Sequence, residues 1–327
     1  MEKITENLKR ISIKDNKQKL GQFYTTNHEY ILHNMYIPDN IKNIIEPFAG
    51  NGDLLSFIKK NGINYNITCY DIEPKKENII QRDTINDPPD YTNTFIITNP
   101  PYLARNKSKT KNLFDKYDVN DLYKCFIKEI ITNKCLGGII IIPLNFWSSI
   151  RTNDIELRKM FLTNYEIIQL NIFEERVFND TSYTICSFQF TLKKNNNNIN
   201  KLNIAIYPSK RYIETYLNEK NNYIIGGELY NLNIANKYKI YRLTKNNKDK
   251  ANTNILVKCI DDNTTNKISL SYVSSDKIYI DNTPNQTART YATLIIEPAI
   301  SEDKQKELVL KFNEYLNNYR ENIIHYF

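Results

Sequence analysis

A tetrapeptide in the first third of the chain has the composition of a site that binds a planar amino group. Asn99-Pro100-Pro101-Tyr102 directly follows a short strand predicted at 94–98. The Asn99 amide oxygen is an acceptor, and the prolines, which have no N–H, leave carbonyls such as that of Pro100 free to accept. Two acceptors that meet at one point suit an –NH2 group, and the Tyr102 ring can stack on the ring that carries it. The pattern therefore predicts chemistry on an amino group.

A glycine-containing turn lies upstream of this tetrapeptide. Gly50 and Gly52 follow a strand predicted at 41–45 and precede a helix predicted from Asp53. Glycines at such a turn let a ligand approach the backbone closely, where helix N–H groups face it. The run is neither the three-glycine dinucleotide fingerprint nor a P-loop. It is either a cofactor-binding turn or a tight connection, and its candidate residues are Glu46, Pro47, Phe48, Ala49, Gly50 and Gly52.

An acidic residue, Asp71, ends the next predicted strand, at 67–71. In a doubly wound sheet, an acid at the end of the second strand binds ribose hydroxyls. Ile72 would then lie against an adenine ring. A turn or helix-capping aspartate is the other interpretation of Asp71.

The pattern of apolar residues divides the chain into two segments. Short apolar runs alternate with helix-like stretches, which predicts a parallel sheet covered on both faces. Strands of this segment are predicted at 41–45, 67–71, 94–98, 138–143 and 183–192, with a helix at 119–134. A polar Lys/Asn run at 193–198 then marks a domain boundary. Beyond it, strands are predicted at 202–207, 255–260, 277–280 and 291–296, followed by a helix from Ser301.

The ordered motifs resemble those of the adenine-specific (N6) DNA methyltransferases of restriction–modification type, which use S-adenosylmethionine. The run 21–26 resembles the N-terminal element that helps hold the methionine part of the cofactor, although Thr26 stands where the family usually has proline. Asp83 stands where the family has an acid contacting the cofactor adenine. Phe178 resembles the late aromatic residue that stacks on the target base. The resemblance covers residues 18–192.

This resemblance implies a two-domain architecture. A Rossmann-like seven-stranded α/β sheet with helices on both faces is expected in a catalytic domain at 1–194, and a smaller α+β domain at 199–327 is expected to recognise DNA. Only 46 residues separate Gly52 from Asn99, too few for an inserted recognition domain. Residues 193–297 carry 16 basic and 9 acidic side chains, which favours a polyanionic partner.

The resemblance also implies roles for individual residues. Asn99 and the Pro100 carbonyl would accept from the amino group of an adenine extruded from the duplex, between the rings of Tyr102 and Phe178. No covalent intermediate and no metal are expected. The implied catalytic residues are Asn99, Pro100, Pro101, Tyr102 and Phe178. The implied cofactor-binding residues are Phe23, Thr25, Glu46, Pro47, Phe48, Ala49, Gly50, Gly52, Asp71, Ile72, Asp83 and Asn99.

A basic loop follows the tetrapeptide and is a candidate nucleic-acid contact. Its cations are Arg105, Lys107, Lys109 and Lys111. They would clamp phosphates beside the extruded base, or form a solvated surface loop. The expected partners are double-stranded DNA and a restriction endonuclease on a separate chain.

Composition excludes several other classes of protein. No apolar run approaches the ~20 residues that span a bilayer. Five dispersed cysteines and three histidines give neither a disulfide framework nor a zinc site. We therefore expect a cytoplasmic protein without membrane or metal partners.

The motifs leave alternatives open. The same chemistry could act on RNA adenine, on cytosine N4 or on a glutamine side chain of a translation factor. A catalytically inactive nucleic-acid-binding module is a further alternative. The element order and the basic C-terminal region favour DNA.

Overall fold

The computed structural model describes residues 25, 27–60, 63–178, 181, 183–194, 200–226, 237–258, 268–281 and 291–322, with side chains to residue 317. The chain forms two compact units, Met1–Ile225 and Gly226–Phe327. Each unit is described by itself. No helix in the described ranges combines the length and the apolar character that crossing a membrane requires.

Nine strands of the first unit form a single sheet. They are β1 Asn43–Glu46, β2 Asn66–Asp71, β3 Ile80–Gln81, β4 Phe95–Thr98, β5 Gly137–Pro143, β6 Tyr165–Phe173, β7 Ile185–Leu192, β8 Lys201–Tyr207 and β9 Arg211–Tyr216. The helices in the described part of this unit are α1 His28–Ile31, α2 Leu55–Lys59, α3 Asn112–Tyr117, α4 Leu122–Thr132, α5 Asn145–Ser148 and α6 Thr152–Asn164.

The strand order places a crevice beside β1. The order is β3-β2-β1-β4-β5-β7-β6-β8-β9, and the first five strands are parallel. The chain proceeds outward from β1 to β3 on one side and from β4 to β5 on the other. Open α/β sheets bind ligands at such a reversal, beyond the carboxyl ends of the strands. The predicted α/β class is therefore confirmed.

The sheet has nine strands rather than the seven expected. The two additional strands, β8 and β9, come from the segment that the sequence assigned to the second domain. Leu170–Phe173 of β6 pair in parallel with Ile204–Tyr207 of β8. The N–H of Ile225 then donates to the Trp147 carbonyl (2.9 Å), which ties the following segment to α5. The first compact unit consequently ends at Ile225 and not at residue 194.

The core of the first unit is built on β4 and β5, whose residues are all buried. Trp147, the single tryptophan of the chain, is fully buried and packs edge-on against Phe146 and Phe188, with ring centroids 4.8 and 5.3 Å away. Trp147 is therefore a core residue of this unit.

The second unit contains a four-stranded antiparallel sheet and one long helix in its described residues. The strands are β10 Lys239–Arg242, β11 Ile255–Lys258, β12 Ser269–Tyr272 and β13 Tyr291–Glu297, in the order β10-β13-β11-β12. The helix α7, Glu302–Asn322, contributes Val309 to a core with Ile255, Leu270 and Ile296.

The strand predicted at 277–280 is wrong. Ser275–Lys277 form a 3₁₀ turn, and the Tyr279 N–H donates to the Thr293 hydroxyl (3.0 Å) rather than to a strand carbonyl. The apolar residues of this segment therefore follow the sheet surface without joining its ladder.

Candidate active site

A cleft opens where β1, β2 and β4 end. This is the place at which open α/β sheets bind small molecules. Separate parts of the sequence converge on it, because parallel strands bring their carboxyl ends to one edge of the sheet. The predicted residues that line it are Thr25, Glu46, Phe48, Ala49, Gly50, Asp71, Ile72, Asp83, Asn99 and Pro101.

The turn after β1 is held by the neighbouring strand β2. The Ala49 N–H donates to the Tyr70 carbonyl (2.8 Å), and the Gly50 N–H donates to Asp71 Oδ2 (2.7 Å). Gly50 and Gly52 have φ values of +51° and +71°, a region that favours glycine. The turn predicted from the sequence is therefore present, and its backbone favours glycine at both positions.

Glu46, the last residue of β1, is a buried acid in the cleft wall. Only 1% of it is exposed, and its Oε2 has no hydrogen-bond partner. Burial raises the pKa of Glu46 well above its usual range, Asp53 and Asp71 raise it further, and Lys76 opposes them. Because an unpaired buried carboxyl oxygen is unfavourable, this group suits a cationic ligand.

Asp71 has an acceptor arrangement that leaves room for a ligand. Its Oδ2 accepts from Gly50, and its Oδ1 accepts from the Glu73 N–H (2.8 Å). Each carboxylate oxygen has a second lone pair, so Asp71 can still accept from two hydroxyls. The adjacent Ile72 is 42% exposed although apolar, which provides an apolar surface in the cleft wall.

Asp83 closes a turn within its own loop. Its Oδ1 accepts from the N–H groups of Ile85 (3.2 Å) and Asn86 (3.1 Å), and its Oδ2 accepts from Asn86 Nδ2 (2.7 Å). The carboxylate therefore shapes this side of the cleft. Its contact with a cofactor adenine stays a prediction.

The Asn99 amide is held by two hydroxyl groups. Its Nδ2 donates to Thr25 Oγ1 (3.0 Å), and its Oδ1 accepts from the Tyr102 hydroxyl. The same hydroxyl lies 2.9 Å from the Ile141 carbonyl oxygen. Burial raises the pKa of Tyr102 well above its usual range, so the phenol keeps its proton to donate. Because Thr25 and Asn99 both line the cleft, this network fixes the amide at the cleft wall.

The two aromatic residues predicted to stack on a base are buried. Tyr102 is 5% exposed, and its ring packs edge-on against Tyr123 with centroids 6.0 Å apart. Phe178 is 6% exposed. Their stacking therefore stays a prediction. The other predicted residues outside the cleft wall are Pro47, Gly52 and Pro100, and Phe23 lies outside the described residues.

The basic loop is attached to the segment that precedes α4. The Arg105 N–H donates to the Asn120 carbonyl (2.8 Å), and the Arg105 guanidinium pairs with Asp115 (2.7 Å). Three lysines of this loop are exposed, namely Lys107, Lys109 and Lys111. Since Arg105 has an acidic partner, the lysines are the better candidates for phosphate contacts.

Some residues of the cleft wall were missed from the sequence. They are Asp53, Leu54, Arg82, Thr84, Ile85, Leu113 and Leu122. Thr84 donates its hydroxyl proton to the Pro47 carbonyl (2.9 Å), which joins the Asp83 loop to the glycine turn. Most of these residues adjoin predicted ones and could have been found by extending the motifs. Leu113 and Leu122 carry no such signal because they are ordinary apolar residues of helices.

Comparison with known proteins identifies the segment that builds this cleft. Residues 24–178 match the model of the Eco57I restriction-modification methylase family. The chain resembles the restriction–modification methylases. The matched residues include the glycine turn, Asp71, the tetrapeptide and Phe178, so the resemblance predicted from the motifs is confirmed.

Two relatives from Haemophilus influenzae extend this similarity. The Type II methyltransferases M.HincII and M.HindII are each 31% identical to this chain in an alignment of 208 positions that covers 58% of the chain. The chain spans only 40% and 39% of their lengths. Among solved structures, the DrdV–DNA complex matches with a TM-score of 0.48 and 14% identity, over 76% of this chain and 38% of that chain.

Proposed function

We propose that this methylase-like chain transfers a methyl group from S-adenosylmethionine to the N6 amino group of an adenine in duplex DNA. The observation that carries the proposal is the single cleft shared by the glycine turn, Asp71 and Asn99. When one cleft holds both a cofactor site and a hydrogen-bond acceptor for the target amino group, the methyl donor lies close to its target. The named Type II methyltransferases support the DNA substrate.

The residues of the cleft fit this cofactor. The unpaired Glu46 oxygen suits the ammonium group, Asp71 suits the ribose hydroxyls, and the exposed Ile72 suits the adenine ring. Asp53 adds a further acid to the wall, which favours a cationic ligand. When bound, the cofactor supplies an electrophilic methyl group on its sulfonium.

The proposed role of the tetrapeptide is to orient the target amino group. Asn99 Oδ1 and the Pro100 carbonyl accept hydrogen bonds from its two N–H groups. These hydrogen bonds orient the nitrogen lone pair toward the cleft. Thr25 and Tyr102 keep the Asn99 amide in one orientation. Alignment and exclusion of water then provide much of the rate acceleration.

The target adenine must leave the duplex stack to reach Asn99, at a cost of a few kcal/mol. In the proposal, Tyr102 and Phe178 offset part of this cost by stacking, which is worth about 1–3 kcal/mol per base. Both rings are buried in the free protein, so base entry has to expose them. Lys107, Lys109 and Lys111 would bind the flanking phosphates.

The remaining proposal concerns partners. Double-stranded DNA would contact both compact units, and the second unit, described at residues 237–258, 268–281 and 291–322, would recognise the target sequence. A restriction endonuclease, where present, would be a separate chain. The proposed location is the cytoplasm.

A labelling experiment tests the function. The chain is incubated with methyl-labelled S-adenosylmethionine and, separately, with mixed-sequence duplex DNA, RNA and a protein extract. The DNA is digested to nucleosides, and we expect the label in N6-methyladenine. Asn99→Ala should lower the rate roughly a hundredfold or more. Asn203→Ala, at an exposed position of β8, is the matched control and should keep full activity.

Other outcomes contradict separate parts of the proposal. Label in RNA or in a glutamine side chain would overturn the DNA substrate. N4-methylcytosine would overturn the adenine target. A chain that does not bind S-adenosylmethionine would overturn the methyltransferase function itself.

A further inference from the structure

The positive charge of the second unit is concentrated in one short segment. Residues 237–250 carry six cations and a single acid, Asp249, for a net charge of +5. The other described residues of this unit, 251–258, 268–281 and 291–322, carry six cations and eight acids, for a net charge of −2. The cations of the segment are Lys237, Lys239, Arg242, Lys245, Lys248 and Lys250. We refer to residues 237–250 as the basic edge.

The fold displays the basic edge to solvent. β10 is the end strand of its sheet in the described part of the chain, and the 3₁₀ turn Lys245–Lys250 follows it. The strand and the turn have no fully buried side chain, and the five lysines are all exposed. Arg242 differs because it lies 3.9 Å from the buried Asp281. The lysines are therefore the cations that can meet a partner.

Side-chain alternation sorts β10 into two faces. Ile240 pairs with Ile296, which belongs to the core beneath α7. Lys239 and Tyr241 consequently lie on the opposite face of the sheet. Lys258 and Tyr291, which pair across β11 and β13, share that opposite face. The surface away from the helix thus carries these two lysines and two tyrosines, together with Glu297, which pairs with Lys239.

Exposed aromatic residues accompany the charge. Tyr238, Tyr241 and Tyr291 are 39%, 43% and 42% exposed, and Lys237 lies over the Tyr238 ring at 5.7 Å. Tyrosine hydroxyls and lysines are common donors to phosphate oxygens. The surface of α7 lacks this character, because residues 302–322 carry five acids and four cations. One side of the unit is therefore suited to a polyanion and the other is not.

We propose that the basic edge, with Lys258 and Tyr291, is the surface by which the second unit binds the phosphate backbone of duplex DNA. The choice of DNA rests on the proposed function. The charge of the basic edge is nearly that of the whole chain, +7, so this surface supplies much of the attraction that is independent of sequence.

The test compares two triple variants of the full chain. Lys239→Gln/Lys245→Gln/Lys248→Gln removes three charges from the basic edge. Lys304→Gln/Lys306→Gln/Lys311→Gln removes three exposed charges from α7 and is the matched control. Binding to a labelled mixed-sequence duplex is followed by anisotropy over roughly 50–200 mM salt, a range in which phosphate contacts change affinity strongly. Thermal unfolding confirms that both variants are folded.

The expected result is specific to the basic edge. Its variant should bind the duplex at least about tenfold more weakly, with a log–log salt slope shallower by about two to three, since each lost phosphate contact lowers it by ~0.9. The α7 variant should bind within about twofold of the unchanged protein. Equal losses in both variants, or no loss in either, would overturn the proposal. If, in the same assay with an RNA, the basic-edge variant lost affinity for the RNA and not for duplex DNA, the choice of DNA would be overturned.

Measurements of methylation and of DNA binding on these same proteins distinguish this proposal from the proposed function. An unchanged chain that methylates DNA, with equal binding by both variants, would overturn the basic edge alone. A chain that binds DNA through the basic edge but transfers no methyl group would overturn the methyltransferase function alone.

Discussion

At the scale of single residues, Thr25 joins the cleft wall to the Asn99 amide, which is the proposed acceptor for the target amino group. It lines the cleft and accepts from Asn99 Nδ2. Thr25→Val keeps the side-chain shape but removes the hydroxyl, so the amide loses one of its two anchors. We expect the methyl-transfer rate at saturating cofactor to fall roughly three- to tenfold, as for one lost hydrogen bond. Single-turnover kinetics measure this rate.

Thr25→Ser is the control because it restores the hydroxyl and should recover most of the rate. Cofactor affinity is measured in parallel. If Thr25→Val weakens only cofactor binding and leaves the saturated rate unchanged, Thr25 does not position Asn99.

The second prediction at this scale concerns Glu46 and the pH dependence of stability. Because its pKa is raised in the folded protein, Glu46 contributes most stability below its unfolded pKa of about 4.3, and this contribution is lost as pH rises through the folded pKa. Glu46→Gln removes this dependence. We therefore expect the variant to gain stability relative to the unchanged protein as pH rises above about 4.3, measured by urea unfolding at several pH values.

The same variant should bind S-adenosylmethionine roughly tenfold or more weakly, because a neutral amide replaces a charge-assisted hydrogen bond. Isothermal titration measures this affinity. A variant that binds the cofactor normally would show that Glu46 does not face the ammonium group.

The sequence predicted ten of the residues that line the cleft. Most lie in short motifs at or directly after the end of a strand, whereas Thr25 and Asp83 were predicted only through the family resemblance. Spacing alone places such motifs at one sheet edge. It does not reveal how a side chain is turned, and Tyr102 illustrates this limit. Its hydroxyl bonds to Asn99 and to the Ile141 carbonyl, so the ring is buried in the free protein.

At the scale of elements, a buried ion pair joins α4 to α6. Lys124 Nζ lies 2.7 Å from Asp154 Oδ1 and is 1% exposed, and Ser149 donates to Asp154 Oδ2 (2.6 Å). Asp154→Ala would leave a buried ammonium with a weaker set of acceptors. Because Asp121, 3.6 Å from Lys124, still compensates part of the charge, we expect a loss of about 1.5–3 kcal/mol in the free energy of unfolding, measured with urea.

The exposed pair Lys60–Glu29 has a similar distance of 2.9 Å and provides the control. Glu29→Ala should hardly change stability, because water screens the charges. Equal effects in the two variants would show that burial does not determine the strength of these pairs.

Elements with continuous apolar runs were predictable. The strands β1, β2, β4, β5 and β7 begin and end within two residues of their predicted limits. The helix α6 was missed because it buries Asp154 and Arg158 among its apolar residues, which obscures the helical periodicity. Short end strands such as β3 and β9 were missed because their exposed residues give no apolar pattern.

At the scale of the whole molecule, the position of the unit boundary is testable. A chain ending at residue 225 keeps all nine strands and should be soluble, unfold cooperatively and bind S-adenosylmethionine. A chain ending at residue 194 lacks β8 and β9 and exposes the edge of β6, so it should aggregate. Size-exclusion chromatography distinguishes them. A soluble, cofactor-binding 1–194 chain would restore the shorter domain.

The sequence located this boundary some thirty residues too early, because a polar run resembles a linker whether it joins two domains or two strands. Only the pairing of Leu170–Phe173 with Ile204–Tyr207 distinguishes the two cases. Such long-range pairing depends on tertiary contacts and leaves little local signal.

The burial of Trp147 gives the molecule a natural optical reporter. Trp147 is the single tryptophan of the chain and lies in the first unit. Fluorescence that is excited selectively at the red edge of tryptophan absorption therefore reports on the first unit alone. The apolar surroundings of Trp147 should shift that emission to the blue, and exposure to water should shift it to the red. Far-ultraviolet circular dichroism, by contrast, records both units. Two denaturation curves that separate would show that the units melt independently, and curves that coincide would show that they melt as one.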